Sequence, residues 1–396
     1  MPAESVPLPA GFSAAGLHCG VKSDPAKRDL ALFASDRPAI AAGVFTQNVV
    51  VGAPVQVSRE RVPTDAARAV VINSGCSNVS TGERGLADAR EMTAAVAAAL
   101  GCGEEAVTVC STGVIGRFLN MDAIRSGLPQ VAAALGDAPE NLRDAAEGMR
   151  TTDTFPKMST RTLPTAAGGE ARVSGAGKGA AMIAPNMATM LAVVLTDAAL
   201  APADADRLLR AAVDRSFNRI SVDGHQSTSD TVLLLANGAA GPCNEAALAA
   251  GLNAVCEELA TDIVRDAEGA THFVTVDVTG LPTDEEATTI ARAVADSPLV
   301  KTAIHGADPN WGRIISAAGY AGPSFDPGRF DLDVNGHAVC RGGVPTDFDE
   351  ATVSESIRSN RDCTLTLHFN SGPGTCRFWT CDLTAEYVRL NADYTT

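Results

Sequence analysis

Between Gly175 and Leu195 the chain reads GAGKGAAMIAPNMATMLAVVL, and this stretch holds the residue types best suited to chemistry. Gly175, Gly177 and Gly179 surround Lys178. The chain has five lysines against 26 arginines, so a lysine set among glycines is a poor candidate for surface filler. Pro185-Asn186 is a turn signal, and Ala188-Thr189 stands directly before a strongly apolar, strand-like run. Two nucleotide-binding readings fail here. A Walker A loop needs GxxxxGK followed by Ser or Thr, but the first position is Arg172 and the last is Gly179. A dinucleotide fingerprint over Gly175, Gly177 and Ala180 needs a long helix to follow, and Pro185 would interrupt it after about one turn. From residue types alone, the stretch is a tight glycine turn leading into a core strand, with Thr189 an ordinary strand residue.

The elements that must position these residues are interleaved. Gly82 to Leu100 is predicted as a helix, with Leu86, Ala89, Met92, Val96 and Leu100 on one face. Leu208, Leu209, Ala212 and Val213 mark a second helix, and Leu252 to Val264 part of a third. Strands are expected at Ala69 to Ile72, Leu191 to Leu195, Val232 to Ala236 and Phe273 to Val278. Phe330 to Val334 and Cys363 to Phe369 alternate as half-buried strands do. Turn formers cluster at Gly136 to Glu140, Pro164 to Gly169 and Ala321 to Gly328, and no repeat or low-complexity tract is present. Helices mixed with strands throughout imply a layered α/β or α+β architecture.

The chain has 396 residues, 45% of them hydrophobic and 20% charged, which is the balance of a soluble globular protein. A net charge of −16 disfavours nucleic acid as a partner. No run reaches the ~20 apolar residues needed to cross a bilayer, so no membrane partner is expected. The N-terminus lacks a basic segment followed by an apolar one, so a signal peptide is not expected. The ten cysteines include no CxxC pair, and Cys376 and Cys381 are the closest two. Reduced, mostly buried thiols in a cytoplasmic protein are expected. The six histidines, at 18, 225, 272, 305, 337 and 368, are not spaced as ligands, and no metal site is predicted. His305 precedes DPNWGR, read as a packed turn anchored by Trp311.

KGAAMIAPNMATML resembles the signature of the ornithine acetyltransferase (glutamate N-acetyltransferase) family, in which the threonine of the MAT triplet is freed by autoproteolysis. The resemblance runs along nearly the whole chain. GVFTQN (Gly43 to Asn48), Asn73-Ser74-Gly75, STGVIG (Ser111 to Gly116), TTDTFPK (Thr151 to Lys157) and FNRISVDG (Phe217 to Gly224) look like family motifs. So do STSDT (Ser227 to Thr231), DAEGAT (Asp266 to Thr271), DPNWGR (Asp308 to Arg313) and the C-terminal CDLTAEYVRLNADYTT.

The resemblance implies an αββα-type layered fold of the self-cleaving N-terminal-nucleophile kind, with a smaller second domain. Thr189 would cut the Ala188–Thr189 bond, giving an α chain (1–188) and a β chain (189–396) that pair as an α2β2 assembly. The freed α-amino group, which ordinarily titrates at about 7.7–8.0, would act as base for the Thr189 hydroxyl. Acetyl would pass from N-acetylornithine to Thr189 and on to glutamate, a ping-pong cycle within arginine biosynthesis. Thr112 and Gly113 match the oxyanion-hole positions, each donor worth about 3 kcal/mol. Thr151, Lys178, Thr189, Glu268, Asn391 and Thr396 match substrate-binding positions. An amino-acid carboxylate suits Lys178, and an ammonium suits Glu268 or the chain's terminal carboxylate. The resemblance implies no cofactor, with acetyl-CoA as an alternative acetyl donor.

Some positions depart from the family pattern. His225 replaces an acidic residue, Ala181 a glycine and His272 a lysine, while Asn73-Ser74-Gly75-Cys76-Ser77-Asn78 stands for NSGNAN. They leave Thr189 chemistry intact and bear on substrate identity. Three other readings stay open: a paralogue acting on a related N-acyl amino acid, a self-cleaving amidohydrolase, and an uncleaved amino-acid-binding protein.

Overall fold

In the computed structural model, which describes residues 5–184 and 190–393, the apolar run from Leu191 becomes an interior strand of an eight-stranded sheet. The strands are β1 (Phe12–Leu17), β2 (Leu30–Phe45), β3 (Thr64–Cys76), β4 (Val107–Val114), β5 (Lys157–Pro164), β6 (Glu170–Lys178), β7 (Leu191–Ala199) and β8 (Thr231–Pro242). Their order is β4-β3-β2-β8-β7-β6-β5, with β1 beside β2. The β3–β4 and β7–β8 pairs are parallel.

Side chains alternate across this sheet with the period of two that a strand imposes. Leu191, Val193 and Leu195 of β7 enter one core with Leu233 and Leu235 of β8. Ala192 and Val194 enter another with Val232 and Leu234. Both faces are therefore apolar, and both are covered. The helices of the first half are α1 (Ala53–Arg61), α2 (Gly82–Leu100), α3 (Met121–Ala133) and α4 (Pro139–Met149). Helix α4 packs into the first of these cores, and α5 (Pro202–Arg215) and α6 (Glu245–Arg265) into the second. Helices α2 and α3 cover β2, β3 and β4. Helix α2 has the bounds its periodicity predicts, and Gly101 closes it in the left-handed conformation, φ 65°.

A smaller six-stranded sheet contains β9 (Phe273–Leu281), β10 (Asp331–Val334), β11 (His337–Arg341), β12 (Val344–Pro345), β13 (Asp362–His368) and β14 (Gly374–Cys381). With α7 (Asp284–Asp296), α8 (Pro298–His305), α9 (Trp311–Gly319) and α10 (Glu350–Arg358) it encloses its own core. The last helix, α11 (Ala385–Asp393), returns to the loop after α6 through the Thr384 hydroxyl, which donates to the Gly269 carbonyl (2.8 Å). Two sheets with helices on them meet the expectation of a mixed α/β fold.

Two local expectations need correction. Lys178 does not sit in a glycine turn: it is the last residue of β6, paired with Leu191. Gly175 and Gly177 are strand residues, and α6 lies close over the first: a Cβ on Gly175 would meet Leu259 and Val255 at 3.0 Å. Trp311 does not anchor a turn but opens α9, where the Asn310 side chain caps the Arg313 N–H at 3.2 Å. All ten cysteines are free, and seven are buried. No helix among the described residues is long and apolar enough to cross a membrane.

Candidate active site

Strands β3 and β4 run parallel, and their register places Ser74 beside Thr112 and Gly75 beside Gly113. The approach is tight enough to require glycine: Gly113 has φ 129°, and a Cβ there would lie 2.3 Å from the Gly75 carbonyl carbon. Thr112, at the end of the apolar β4 run, is buried. Lys178 comes from the end of β6 and is buried as well. Its ammonium donates to the Thr112 hydroxyl oxygen at 3.3 Å.

Burial pushes the Lys178 pKa down, and the Asp153 carboxylate opposes that shift. Asp153 accepts from the Gly179 N–H (2.6 Å), the Thr151 N–H (3.0 Å) and the buried Lys157 ammonium (2.7 Å). Its own burial would raise its pKa, but Lys157, Lys178 and the Gly179 N–H together hold it below the usual carboxylate range.

The opposite wall comes from the segment after α6 and from α11. The Glu268 N–H donates to the Ala180 carbonyl (3.0 Å), and the Glu268 carboxylate accepts from the Asn391 amide (3.0 Å). Asn391 is part of this wall, one helical turn beyond Tyr387. The Tyr387 hydroxyl donates to Asp223 (3.1 Å), and the same carboxylate accepts the Met182 (2.7 Å) and Ile183 (2.9 Å) N–H groups. Burial, and then the Asp223 carboxylate, push the Tyr387 phenol above its ordinary pKa.

These walls enclose a cavity of about 260 Å³. Thr112, Gly113, Thr151, Lys178, Glu268 and Asn391, all singled out in the sequence, line it together. Ala188, Thr189 and Thr396 lie outside the described residues. Their neighbour Met190 is described: its N–H donates to Asp230 at 3.0 Å, and its carbonyl accepts from the Thr231 N–H at 3.2 Å. Asp230 is fully buried, and its second oxygen has no hydrogen-bond partner among the described residues. Burial raises its pKa well above the carboxylate range, against the opposing effects of the Met190 N–H and Lys178. Thr151, Thr152 and Glu268 also border a larger cavity of about 440 Å³, where Lys22, Lys27, Arg28 and Arg150 face the carboxylates of Glu147, Asp153 and Glu268.

Of the departures from the family pattern, Ala181 and His225 line the smaller cavity. His272 does not. It is held by the Asp382 carboxylate (3.0 Å) and the Ile357 carbonyl (3.2 Å), so the expectation that it bears on the substrate site is corrected. Asp153, Lys157, Asp223, Asp230, Asp266 and Tyr387 are structural parts of the site that the sequence reading missed. One signal was available: Lys157 is another of the five lysines and closes the TTDTFPK motif.

The ArgJ family profile matches residues 13–396. The arginine biosynthesis bifunctional protein ArgJ of Symbiobacterium thermophilum is 46% identical over 402 residues, covering 100% of this chain and 99% of the relative. The protein of the same name from Geobacter sulfurreducens is 46% identical over 393 residues, covering 98% and 99%. The crystal structure of ArgJ from Bacillus halodurans is 38% identical with a TM-score of 0.50, and the match covers 51% of this chain and 98% of that one. The chain belongs to the ArgJ family.

Proposed function

We propose that this chain is a self-processing acetyltransferase of arginine biosynthesis, with Thr189 as nucleophile, that moves acetyl from N-acetylornithine to glutamate. The observation that carries the reading is the convergence of Thr112, Gly113 and Lys178 with Glu268 and Asn391 around one cavity. Family membership supports it. So does the solved relative, whose chain is covered almost fully by half of this one, as a chain cut near its middle would be.

In self-cleavage, the Thr189 hydroxyl oxygen attacks the Ala188 carbonyl carbon. The C–N bond breaks, the hydroxyl proton ends on nitrogen, and water hydrolyses the resulting ester. This leaves a carboxylate on Ala188 and an α-amine on Thr189. In transfer, that amine takes the hydroxyl proton while the oxygen bonds the acetyl carbon of N-acetylornithine. The proton passes to the departing ornithine nitrogen. The glutamate amine then attacks the acetyl ester, and its proton returns to the Thr189 oxygen. Thr112 and the Gly113 N–H stabilise the oxyanion in both halves. Lys178 meets the substrate carboxylate, and Glu268 with Asn391 meets its ammonium. No cofactor is required, and acetyl-CoA serves only as an alternative donor. An α2β2 assembly in the cytoplasm completes the proposal.

The test is the mass of the denatured protein, wild type and Thr189→Ala, followed by acetyl transfer with and without glutamate. Two fragments dividing at Ala188–Thr189, an intact mutant and glutamate-dependent ornithine release support the reading. Ornithine release that ignores the acceptor indicates an amidohydrolase, and an intact wild-type chain indicates a binding protein. Because Ala181 and His225 face the cavity, a panel of related amines in place of glutamate tests the reading of a paralogue with another N-acyl amino acid.

A further inference from the structure

Lys157 is fully buried at the start of β5, and its ammonium bridges two carboxylates. Asp153 lies at 2.7 Å and Asp266 at 2.6 Å. Neither carboxylate is spent on Lys157 alone. Asp153 also binds the Thr151 and Gly179 N–H groups, and so holds the residues on either side of the cavity's Thr152 and the residue after Lys178. Asp266 takes the Thr154 N–H at 2.9 Å and the Thr154 hydroxyl, and stands two residues before Glu268. One buried cation thus ties the wall that carries Lys178 to the wall that carries Glu268. Strand pairing contributes from the Lys178 side, because Lys157 is registered against Gly177.

We propose that Lys157 is a positioning residue that sets the spacing of Lys178 and Glu268 across the cavity. The assignment rests on the reading of those two residues as substrate-binding groups. It adds a residue that touches no substrate yet fixes how far apart the carboxylate and ammonium subsites lie. A buried ion triad is a weak source of net stability, since each ion must be desolvated. Its value here is geometric: a short point contact to two carboxylates leaves neither wall free to slide. Removing the lysine alone leaves two buried carboxylates beside one another, which disrupts folding and binding together. Removing one opposite charge as well restores the balance and separates the two effects.

The experiment compares wild type, Lys157→Met and the double variant Lys157→Met/Asp266→Asn. Thermal midpoint, chain masses, affinity for ornithine and glutamate by calorimetry, and kcat and KM are measured for each. The single variant is expected to lose thermal stability and the double to regain most of it. In the double variant both ligands are expected to bind at least tenfold more weakly, with KM raised to match and kcat within about threefold. A folded but uncut double variant is scored on binding in the same way. Regained stability with both affinities within threefold of wild type overturns the proposal, as does a fall in kcat with KM unchanged. If neither variant folds, Lys157 is a folding element only and the assignment falls. If the wild type itself binds neither ligand, the functional reading fails and takes this one with it. A wild type that binds and transfers beside an unaffected double variant fails the positioning assignment alone.

Discussion

The Lys178 ammonium donates to the Thr112 hydroxyl oxygen across 3.3 Å, and both side chains are buried. Lysine has no acceptor, so the Thr112 oxygen must receive this bond, leaving its own proton free to point elsewhere. That orientation gives Thr112 a donor for an oxyanion. Thr112→Val is therefore expected to lower kcat by ~10²–10³-fold with KM little changed, while Thr112→Ser keeps most of the activity. Steady-state kinetics on both variants decide it. A loss confined to Thr112→Ser would show that the methyl packing, and not the hydroxyl, matters.

The same lysine gives a pH dependence with a defined sign. Burial lowers the Lys178 pKa and Asp153 opposes the shift. As pH rises through that lowered value, the ammonium is lost and substrate carboxylate binding weakens. KM is thus expected to rise on the alkaline side at a pH below the ordinary lysine range. Asp153→Asn removes the opposing carboxylate and should move this limb to lower pH. Lys178→Arg, which keeps its charge, should flatten it. A limb that stays in place in Asp153→Asn would assign it to another group.

Asp230 makes a prediction about stability. Its folded-state pKa is raised well above the carboxylate range, chiefly by burial. The unfolded carboxyl ionises near ~3.9, so folding holds a proton that the unfolded chain gives up. Stability from this group is full below that value and is lost as pH rises toward the folded pKa. Asp230→Asn carries no such proton and keeps an acceptor for the Met190 N–H. Its unfolding free energy, measured by denaturant titration, should gain on wild type progressively as pH rises above ~4, by ~1.4 kcal/mol per pH unit at most, until the folded pKa is passed. A constant offset across that range would show that titration of Asp230 is not the cause.

What could be read in the sequence follows from how local each signal is. Helix α2 was legible to its ends because its apolar period and its terminal glycine lie within one run of chain. The central strands were found at their most apolar residues and drawn too short. Strand β2 escaped notice because Asp36, Arg37 and Pro38 interrupt its apolar pattern where the ladder to β3 shifts register. The glycines around Lys178 were read as a turn because glycine's usual meaning is conformational. At Gly175 the cause is α6 packing overhead, which lies far along the chain. The motifs single out Thr112, Gly113, Thr151, Lys178, Glu268 and Asn391, and the fold brings these six to one cavity. They could not show what supports it, since Lys157 and Asp266 are 109 positions apart and meet only in the fold.

The C-terminal helix supplies the last prediction. Helix α11 buries no residue fully, and only Tyr387 and Leu390 are half-buried, so apolar packing does little to hold it in place. It is tied instead by polar contacts: the Tyr387 hydroxyl to Asp223, the Tyr387 N–H to the Thr384 hydroxyl (3.0 Å), and Asn391 to Glu268. Asp223 keeps its Met182 and Ile183 N–H partners without Tyr387, so Tyr387→Phe removes an anchor of the helix and leaves the loop before position 185 in place. The hydrogen bond to a carboxylate is worth ~1–3 kcal/mol, and the loss should appear locally. Amide exchange in residues 385–393 is expected to accelerate while the core strands β7 and β8 keep their protection. Because Asn391 then holds Glu268 less often, KM for the amino-acid substrates should rise about threefold to tenfold, with kcat little changed. Unchanged exchange in α11 would show that the Thr384 and Asn391 contacts hold the helix without the Tyr387 hydroxyl. Unchanged KM with faster exchange would show that Glu268 binds substrate without its help.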